Sequence, residues 1–550
     1  MTIHASQLLG KALKRQGVDT LFYLMGGPMF TTEGACVAEG IRAVDVRHEQ
    51  AAAMMAHAYA RVLNRPGVCM AASGPGTLNF GTGLATSLMD CTPVVAVGGS
   101  SPLKEWGTGA FQELDQVAAM RPLVKWAERV YEARRIPELV NKAFRIAVSG
   151  KPGPVYLDLP GDILHHPVEE KMIVWPEYER GAGLGRAAGD PAMVERAIEL
   201  LAGAKRPIVL SGSGALWSEA GSALQAFVDK TGIPFYTTPQ GRGVIPEDHE
   251  FCYLSARNLA FKEADVVLIV GTRINYVINH TRSPRFSEQA KFIRIDIDPA
   301  EVASTPRLDV GLVGDARRIL EQLHEADDGR IRPGLFDAWR RQLAEAHRKR
   351  AQAQEILMST DQKPIHPLRL CKEVRDFMDR EAILVVDGQE ILNFGRQSIQ
   401  TYLPGHRLNS GTFGTMGVGL PYAIGAQVAS PDRQVICLHG DGSFGINAME
   451  LDTAVRHGIP VITVISLNGG WTSDPKRERV GRDLGFTRYD KMAEALGCHA
   501  EYVEEPRDIR PALQRANAAA KNGVPALINV KTDPNAKATT ARFTTYYEAA

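Results

Sequence analysis

A chain of 550 residues is too long for one hydrophobic core, and at about 150 residues per domain it predicts three or four. Lys plus Arg and Asp plus Glu number 63 each, so no global field favours nucleic acid or a membrane surface, and neither is an expected partner. The seven cysteines are scattered and include no Cys-x-x-Cys, which argues against a disulfide framework or a zinc site and for a reducing compartment.

The opening Met1 to Gln7 has no basic stretch running into an apolar one, so no secretory signal is expected and the reading is cytoplasmic. Helical spacing from Ser6 to Gln16 is followed by a strand, Leu21 to Leu24, that enters Met25-Gly26-Gly27-Pro28. Val44 to Arg47 is another strand, ending at His48-Glu49-Gln50, and the alanine-rich run from Gln50 to Leu63 reads as a helix. Further strands lead into Gly74-Pro75-Gly76, Gly98-Gly99-Ser100-Ser101 and Pro160-Gly161. The alternation of strand, glycine turn and helix predicts a doubly wound sheet over residues 1–175.

The Gly-, Arg- and Ala-rich stretch from Pro176 to Asp190 reads as a linker. A second α/β unit over residues 190–335 has strands at Pro207 to Leu210, Pro234 to Thr237, Val266 to Val270 and Phe292 to Asp296. Its apolar runs fall far short of the ~20 residues needed to cross a bilayer. A charged helix, Asp337 to Leu357, carries the chain to a third unit over residues 365–530 that begins at Ile383 to Gly388, and residues 531–550 form a polar and aromatic tail. The expected fold class is α/β, with three doubly wound parallel-sheet domains, the first and third alike in rhythm.

The third unit holds the most informative stretch. Gln434 to His439 reads as a strand, Gly440-Asp441-Gly442-Ser443-Phe444 as a glycine turn, Asn447 to His457 as a helix and Val461 to Leu467 as the next strand. That order puts Asp441 and Asn468 at the carboxyl ends of neighbouring parallel strands, where open α/β sheets bind ligands. The glycines let backbone amides approach phosphate oxygens. A diphosphate beside Asp441 requires a hard cation between them, and Mg²⁺ would take Asp441, the side chain of Asn468 and the backbone oxygen of Gly470. Gly-Asp-Gly alone is usually only a turn; the order of parts and the interval to Asn468 set this one apart.

These residues resemble the signature of the thiamine-diphosphate enzymes, Gly-Asp-Gly followed after a helix and a strand by Asn-Asn, with Leu467 at the first Asn position and Asn468 at the metal-ligand position. The resemblance covers nearly the whole chain. It implies a pyrimidine-binding first domain, a middle domain and a diphosphate-binding third domain, with active sites shared across a homodimer or homotetramer. Thiamine acts once its own amino group, as the imino tautomer, takes the proton from the reactive ring carbon. The family drives that tautomer with a Glu, and Glu49 stands at its position. The bland alternative for Glu49 is a solvated helix start favoured by the dipole. Gly414-Thr415-Met416-Gly417 matches the loop that bends the cofactor, with Met416 between its rings. Gly74, Gln389, Glu390, Gly440, Gly442 and Ser443 fall among the cofactor-binding positions.

Gly109 to Val117 and Gly411 to Leu420 look most like 2-hydroxyacyl-CoA lyases, which cleave a 2-hydroxyacyl-CoA to formyl-CoA and an aldehyde or ketone. Oxalyl-CoA decarboxylases and acetolactate synthases are the alternatives; the synthases share the pair Phe111-Gln112. The resemblance gives Gln112 and Glu113 catalytic roles and sets Gly26, Gly27, Phe111, Trp471 and Thr472 around an acyl-CoA substrate. Trp471-Thr472 replaces the family's aliphatic-Tyr pair, which suggests a branched or ketone-derived acyl group. In the middle unit Arg242, Arg257, Arg273, Asp296 and Ile297 correspond to nucleotide contacts of relatives, with ADP the expected occupant and FAD its competitor. Lys531, Lys537, Arg542, Phe543, Tyr546 and Tyr547 would let the tail close over coenzyme A.

Overall fold

A computed structural model describes residues 1–177, 185–471, 478 and 480–538. The first unit contains β1 (Thr2–His4), β2 (Thr20–Leu24), β3 (Arg42–Asp45), β4 (Gly67–Ala71), β5 (Val94–Ser100), β6 (Trp126–Arg129), β7 (Val155–Pro160) and β8 (Pro167–Glu169). β1 and β8 pair antiparallel, and the other six form a parallel sheet in the order β3-β2-β4-β5-β7-β6. The middle unit, β9 (Pro207–Ser211), β10 (Phe235–Thr237), β11 (Val266–Val270), β12 (Lys291–Asp296) and β13 (Val310–Val313), is parallel in the order β10-β9-β11-β12-β13. The third unit has β14 (Ile383–Asp387), β15 (Arg407–Asn409), β16 (Val435–Gly440), β17 (Ile462–Leu467), β18 (His499–Val503) and β19 (Ala526–Lys531). It is parallel in the order β15-β14-β16-β17-β19-β18, the same permutation as the six-stranded sheet of the first unit. The α/β class and the three parallel sheets are as expected.

In both six-stranded sheets the chain reverses direction across the sheet beside its first strand, and such switch points are where parallel sheets bind ligands. β2 and β4 deliver Gly26-Gly27 and Ser73-Gly74 to one switch point; β14 and β16 deliver Gly388-Gln389 and Asp441 to the other.

One apolar core runs through the first and third units together, from Phe22 and Met54 to Tyr422 and Leu451. It forms because the helix Glu49–Leu63 is rich in small residues and lies against the helix Gly419–Ala429, itself buried along nearly its whole length. The approach is close: a Cβ on Gly425 would collide with the Met55 carbonyl. The middle unit has its own core, spanning Val194 to Leu343. Among the described residues no helix is long and apolar enough to cross a membrane.

Two local expectations change. Gly98-Gly99 is not a turn: β5 continues through it, because Thr77, Tyr156 and Pro28 crowd that strand so closely that any Cβ would collide. Gly440-Asp441-Gly442 is not a turn either. A helix starts at Asp441, runs to Ile446, breaks at Asn447 and resumes as Glu450–Arg456.

Candidate functional site

Asp441 is buried, and its carboxylate spans the two strand ends: one oxygen accepts from the Gly442 amide at 2.8 Å, the other from the Gly469 amide at 2.7 Å. Asn468 turns its side-chain oxygen toward the Gly470 amide, 3.3 Å away. A cavity of about 80 Å³ opens above them, walled by Gly440, Asp441, Gly442 and Ser443 on one side and Asn468, Gly470 and Trp471 on another. Gln389, Glu390 and Met416 complete it, so most of the expected cofactor set lines one cavity. Gly414 and Gly417, at φ +73° and +86°, give the Met416 loop its left-handed turns. The Trp471 ring lies on the backbone of Gly442, where a Cβ would stand 2.7 Å from it. Its bulk therefore walls the cavity at the glycine loop. Thr472 lies outside the described residues.

Burial pushes the Asp441 carboxyl up to about 6, with the glycine amides opposing the rise. Among the described residues no three His, Cys, Asp or Glu side chains gather as a metal site. An ion here would take one carboxylate with neutral oxygens from Asn468 and Gly470, and an all-oxygen set of that kind suits Mg²⁺. The ion needs the ionised carboxylate, whereas the metal-free protein is relieved by protonating it. Because the folded value is raised, the metal-free form gains stability from this group as pH falls from about 6 toward about 4. The rise in melting temperature on adding Mg²⁺ with diphosphate cofactor is therefore expected to shrink as pH falls through about 6, as a thermal-shift series would show.

At the other switch point Glu49 is the first residue of its helix yet is buried, 7% exposed. Asn79 donates to it at 2.9 Å, and Gly76 leaves room for its other oxygen. The helix cap is His48, which accepts from the Gln50 amide, so Glu49 is not a solvated helix start. Gly74, at φ +56°, lies beneath Gln112, which is itself left-handed at φ +58°. Ser73 donates to the Gln112 side chain at 2.5 Å and to the Gly27 carbonyl at 3.2 Å, joining Gly26-Gly27 to the cluster. A strained non-glycine residue at a strand-end cluster is a mark of function. Phe111 beside it is 83% exposed.

Glu113 departs from expectation. Its carboxylate accepts from the Gly107, Gly109 and Ala110 amides at 2.8, 3.1 and 2.9 Å, which holds it below the usual carboxylate range, so the catalytic role gives way to one of fixing its own loop. Two residues were missed: Asn79, and Gln116, whose side-chain oxygen accepts from the Gly74 amide at 2.5 Å. Neither sits in a motif; only the fold brings them in.

The expected nucleotide contacts do not gather. Arg242 is buried in a pair with Glu247 and donates to the Ile399 carbonyl at 2.8 Å, tying the middle unit to the third. Asp296 pairs with Arg294 at 3.1 Å, beside a half-buried Ile297, and Arg273 faces the first unit by donating to the Met89 carbonyl at 3.0 Å. Arg257 differs. It lines a cavity of about 560 Å³ with Arg350, Arg396, His366 and Lys537, and among the described residues no carboxylate lines that cavity. Two of its guanidinium nitrogens are buried without a hydrogen-bond partner. Burial, with Arg285, Arg396 and Arg242 nearby, pushes it down to about 9. Lys531 pairs with Glu504 at 2.8 Å, and the tail residues Arg542, Phe543, Tyr546 and Tyr547 lie outside the described residues.

Two strand-end clusters, one holding a buried acid and the other a glycine cradle with oxygen ligands, define an α/β protein built for an extended diphosphate cofactor. The chain belongs to the thiamine pyrophosphate enzymes: the N-terminal TPP binding domain matches residues 3–119, the central domain 194–323 and the C-terminal TPP binding domain 392–530. It is 36% identical to an acetolactate synthase large subunit of Mycobacterium tuberculosis, over 97% of this chain and 96% of that protein. It is 34% identical to a 2-hydroxyacyl-CoA lyase of Arabidopsis thaliana, over 98% and 97%. With an oxalyl-CoA decarboxylase of Escherichia coli it shares 33%, over 96% and 95%.

Proposed function

We propose that the protein is a thiamine-diphosphate- and Mg²⁺-dependent carbon–carbon lyase that cleaves a 2-hydroxyacyl-CoA to formyl-CoA and an aldehyde or ketone, and catalyses the reverse condensation. The observation that carries the coenzyme A reading is the cationic cavity around Arg257. It adjoins the cavity around Asp441, because His366 and Lys537 line the first while Pro367 and Ala536 line the second. An unpaired, partly desolvated guanidinium among further cations is costly unless an anion completes it. The phosphates of coenzyme A would do so while the thioester reaches the neighbouring cavity. The free 2-oxo acid of a synthase reaction would bring no phosphate to that charge.

When bound, thiamine diphosphate supplies a carbon nucleophile for the thioester carbon and accepts the electron pair of the breaking bond. This chain's residues do the rest. Glu49 holds a proton toward the pyrimidine, and Met416 and Trp471 shape the cofactor's cavity. Gln112, held by Ser73, faces the substrate hydroxyl or thioester oxygen. Among the described residues the Asp441 cavity is lined by those from Pro367 to Ala536 and not by Glu49, so a second copy is proposed to bring the two clusters onto one cofactor.

The test is a panel of 2-hydroxyacyl-CoA thioesters with Mg²⁺ and thiamine diphosphate, read by mass spectrometry for formyl-CoA. Turnover of pyruvate with no formyl-CoA from any thioester overturns the reading. Arg257→Ala is expected to raise KM for the thioester by about 10–100-fold with kcat nearly unchanged, because a phosphate contact on the far end binds ground and transition state alike.

A further inference from the structure

We propose that Glu450 is a positioning residue for Glu49, and that the segment 441–457 links the placement of that acid to the diphosphate loop of the same chain. The inference rests on the reading of Glu49 as the residue that addresses the pyrimidine.

Glu450 begins the second piece of the broken helix after Asp441 and is 1% exposed. It belongs to the third unit, yet its carboxylate is spent on the first. One oxygen accepts from the Arg47 amide at 3.1 Å and the His48 amide at 3.2 Å, and the other accepts from the Thr453 hydroxyl at 2.7 Å. Those two amides immediately precede Glu49, and His48 is the cap of its helix. The same third-unit segment holds the neighbouring residues. Asp45 pairs with Arg456 and with the His457 ring at 2.7 Å, and Arg47 lies 3.6 Å from Asp452. The strand-to-helix corner that aims Glu49 is thus gripped by one stretch of the other unit.

The other end of that stretch is Asp441 itself. Midway, at the helix break, Asn447 donates to the Gly417 carbonyl at 2.7 Å, beside Met416. Within 17 residues the chain touches the diphosphate loop, the cofactor-bending loop and the base of Glu49. The break at Asn447 makes this possible, since an unbroken helix would point Glu450 elsewhere. If a partner copy completes each site, the segment also joins the site around Asp441 to the one served by Glu49.

The variant is Glu450→Gln. It keeps the shape and its Oε1 can still accept from both amides while its NH₂ donates to the Thr453 hydroxyl, but the acceptor loses its charge and the Thr453 proton loses its acceptor. In cofactor-free protein, hydrogen exchange at the Arg47 and His48 amides is expected to rise about tenfold, because both bonds now end on a neutral oxygen in place of a charged one. With cofactor bound, deuterium uptake at the reactive ring carbon is expected to slow about tenfold, and to slow no further when Glu49→Gln is already present. Thr453→Val leaves the carboxylate in place and should shift both readings the same way by less; it carries the test should Glu450→Gln not fold. Parental exchange at both places overturns the proposal, as does an equal loss in the Glu49→Gln background. A parental rate for Glu49→Gln alone overturns the reading of Glu49, and the proposal falls with it. Neither measurement needs a substrate, so both stand apart from the identity of the lyase reaction.

Discussion

Glu49→Gln is expected to lower turnover by about 10²–10⁴-fold, the range for removing a group that holds a proton in the transition state, while the melting temperature stays near that of the parent. Gln fills the same volume and can still accept from Asn79, now at 2.9 Å. What it cannot do is share a proton with a ring nitrogen as a carboxyl does. The environment makes this a specific loss. Glu49 is buried, its described side-chain partner is the neutral amide of Asn79, and Gly76 keeps the space beside its second oxygen open. A carboxylate kept for stability would be expected to have a cation beside it. Steady-state rates and a thermal melt of the two proteins check the claim; a Glu49→Gln protein within about tenfold of parental kcat would refute it.

Asp441→Asn is expected to abolish the stabilisation given by Mg²⁺ and thiamine diphosphate, with affinity falling by more than the 10–100-fold usual for an outer partner of a metal ligand. The carboxylate now accepts from the Gly442 and Gly469 amides at once. An amide side chain can match only one of them and brings no charge to a cation. The metal-free protein should respond differently. Burial pushes Asp441 up to about 6, so at neutral pH it is an ionised group in a poor environment, and removing the charge offsets the lost hydrogen bond. Calorimetric titration of metal and cofactor, with melts of the metal-free proteins, separates loss of binding from loss of fold. Parental affinity in the variant would show that the ion does not sit there.

The buried centre of the fold was legible in the sequence. β2, β4, β7, β9, β11, β12, β14, β16, β17 and β19 all lie under helices and read as short apolar runs close to their observed bounds. The strands not foreseen, β1, β6, β8, β13, β15 and β18, lie at sheet edges, where one flank is free and the apolar signal is diluted, as in Trp126-Ala127-Glu128-Arg129 and His499 to Val503. At the candidate site, Asp441, Asn468 and Met416 can be singled out because a motif fixes their spacing, and they line one cavity. Asn79, Gln116 and Glu450 were not, since each acts through a backbone amide or a side chain that only folding brings near. The glycines misled in both directions. Gly98-Gly99 and Gly440-Asp441-Gly442 read as turns in the sequence, although what they supply in the fold is clearance for a neighbour.

The separate core of the middle unit bears on how such a chain can change over time. The first and third units are fused through the Glu49–Leu63 and Gly419–Ala429 helices and must vary together, residue against residue. The middle unit is joined to them by polar ties such as Arg242 with the Ile399 carbonyl and Arg61 with the Gln240 carbonyl. Exchange of that module would have to preserve those ties, and would change the lining of the cavity around Arg257, which the middle and third units supply together. Chimaeras joined on either side of Val194 to Leu343 are a practical route to new substrate ranges on an old chemistry.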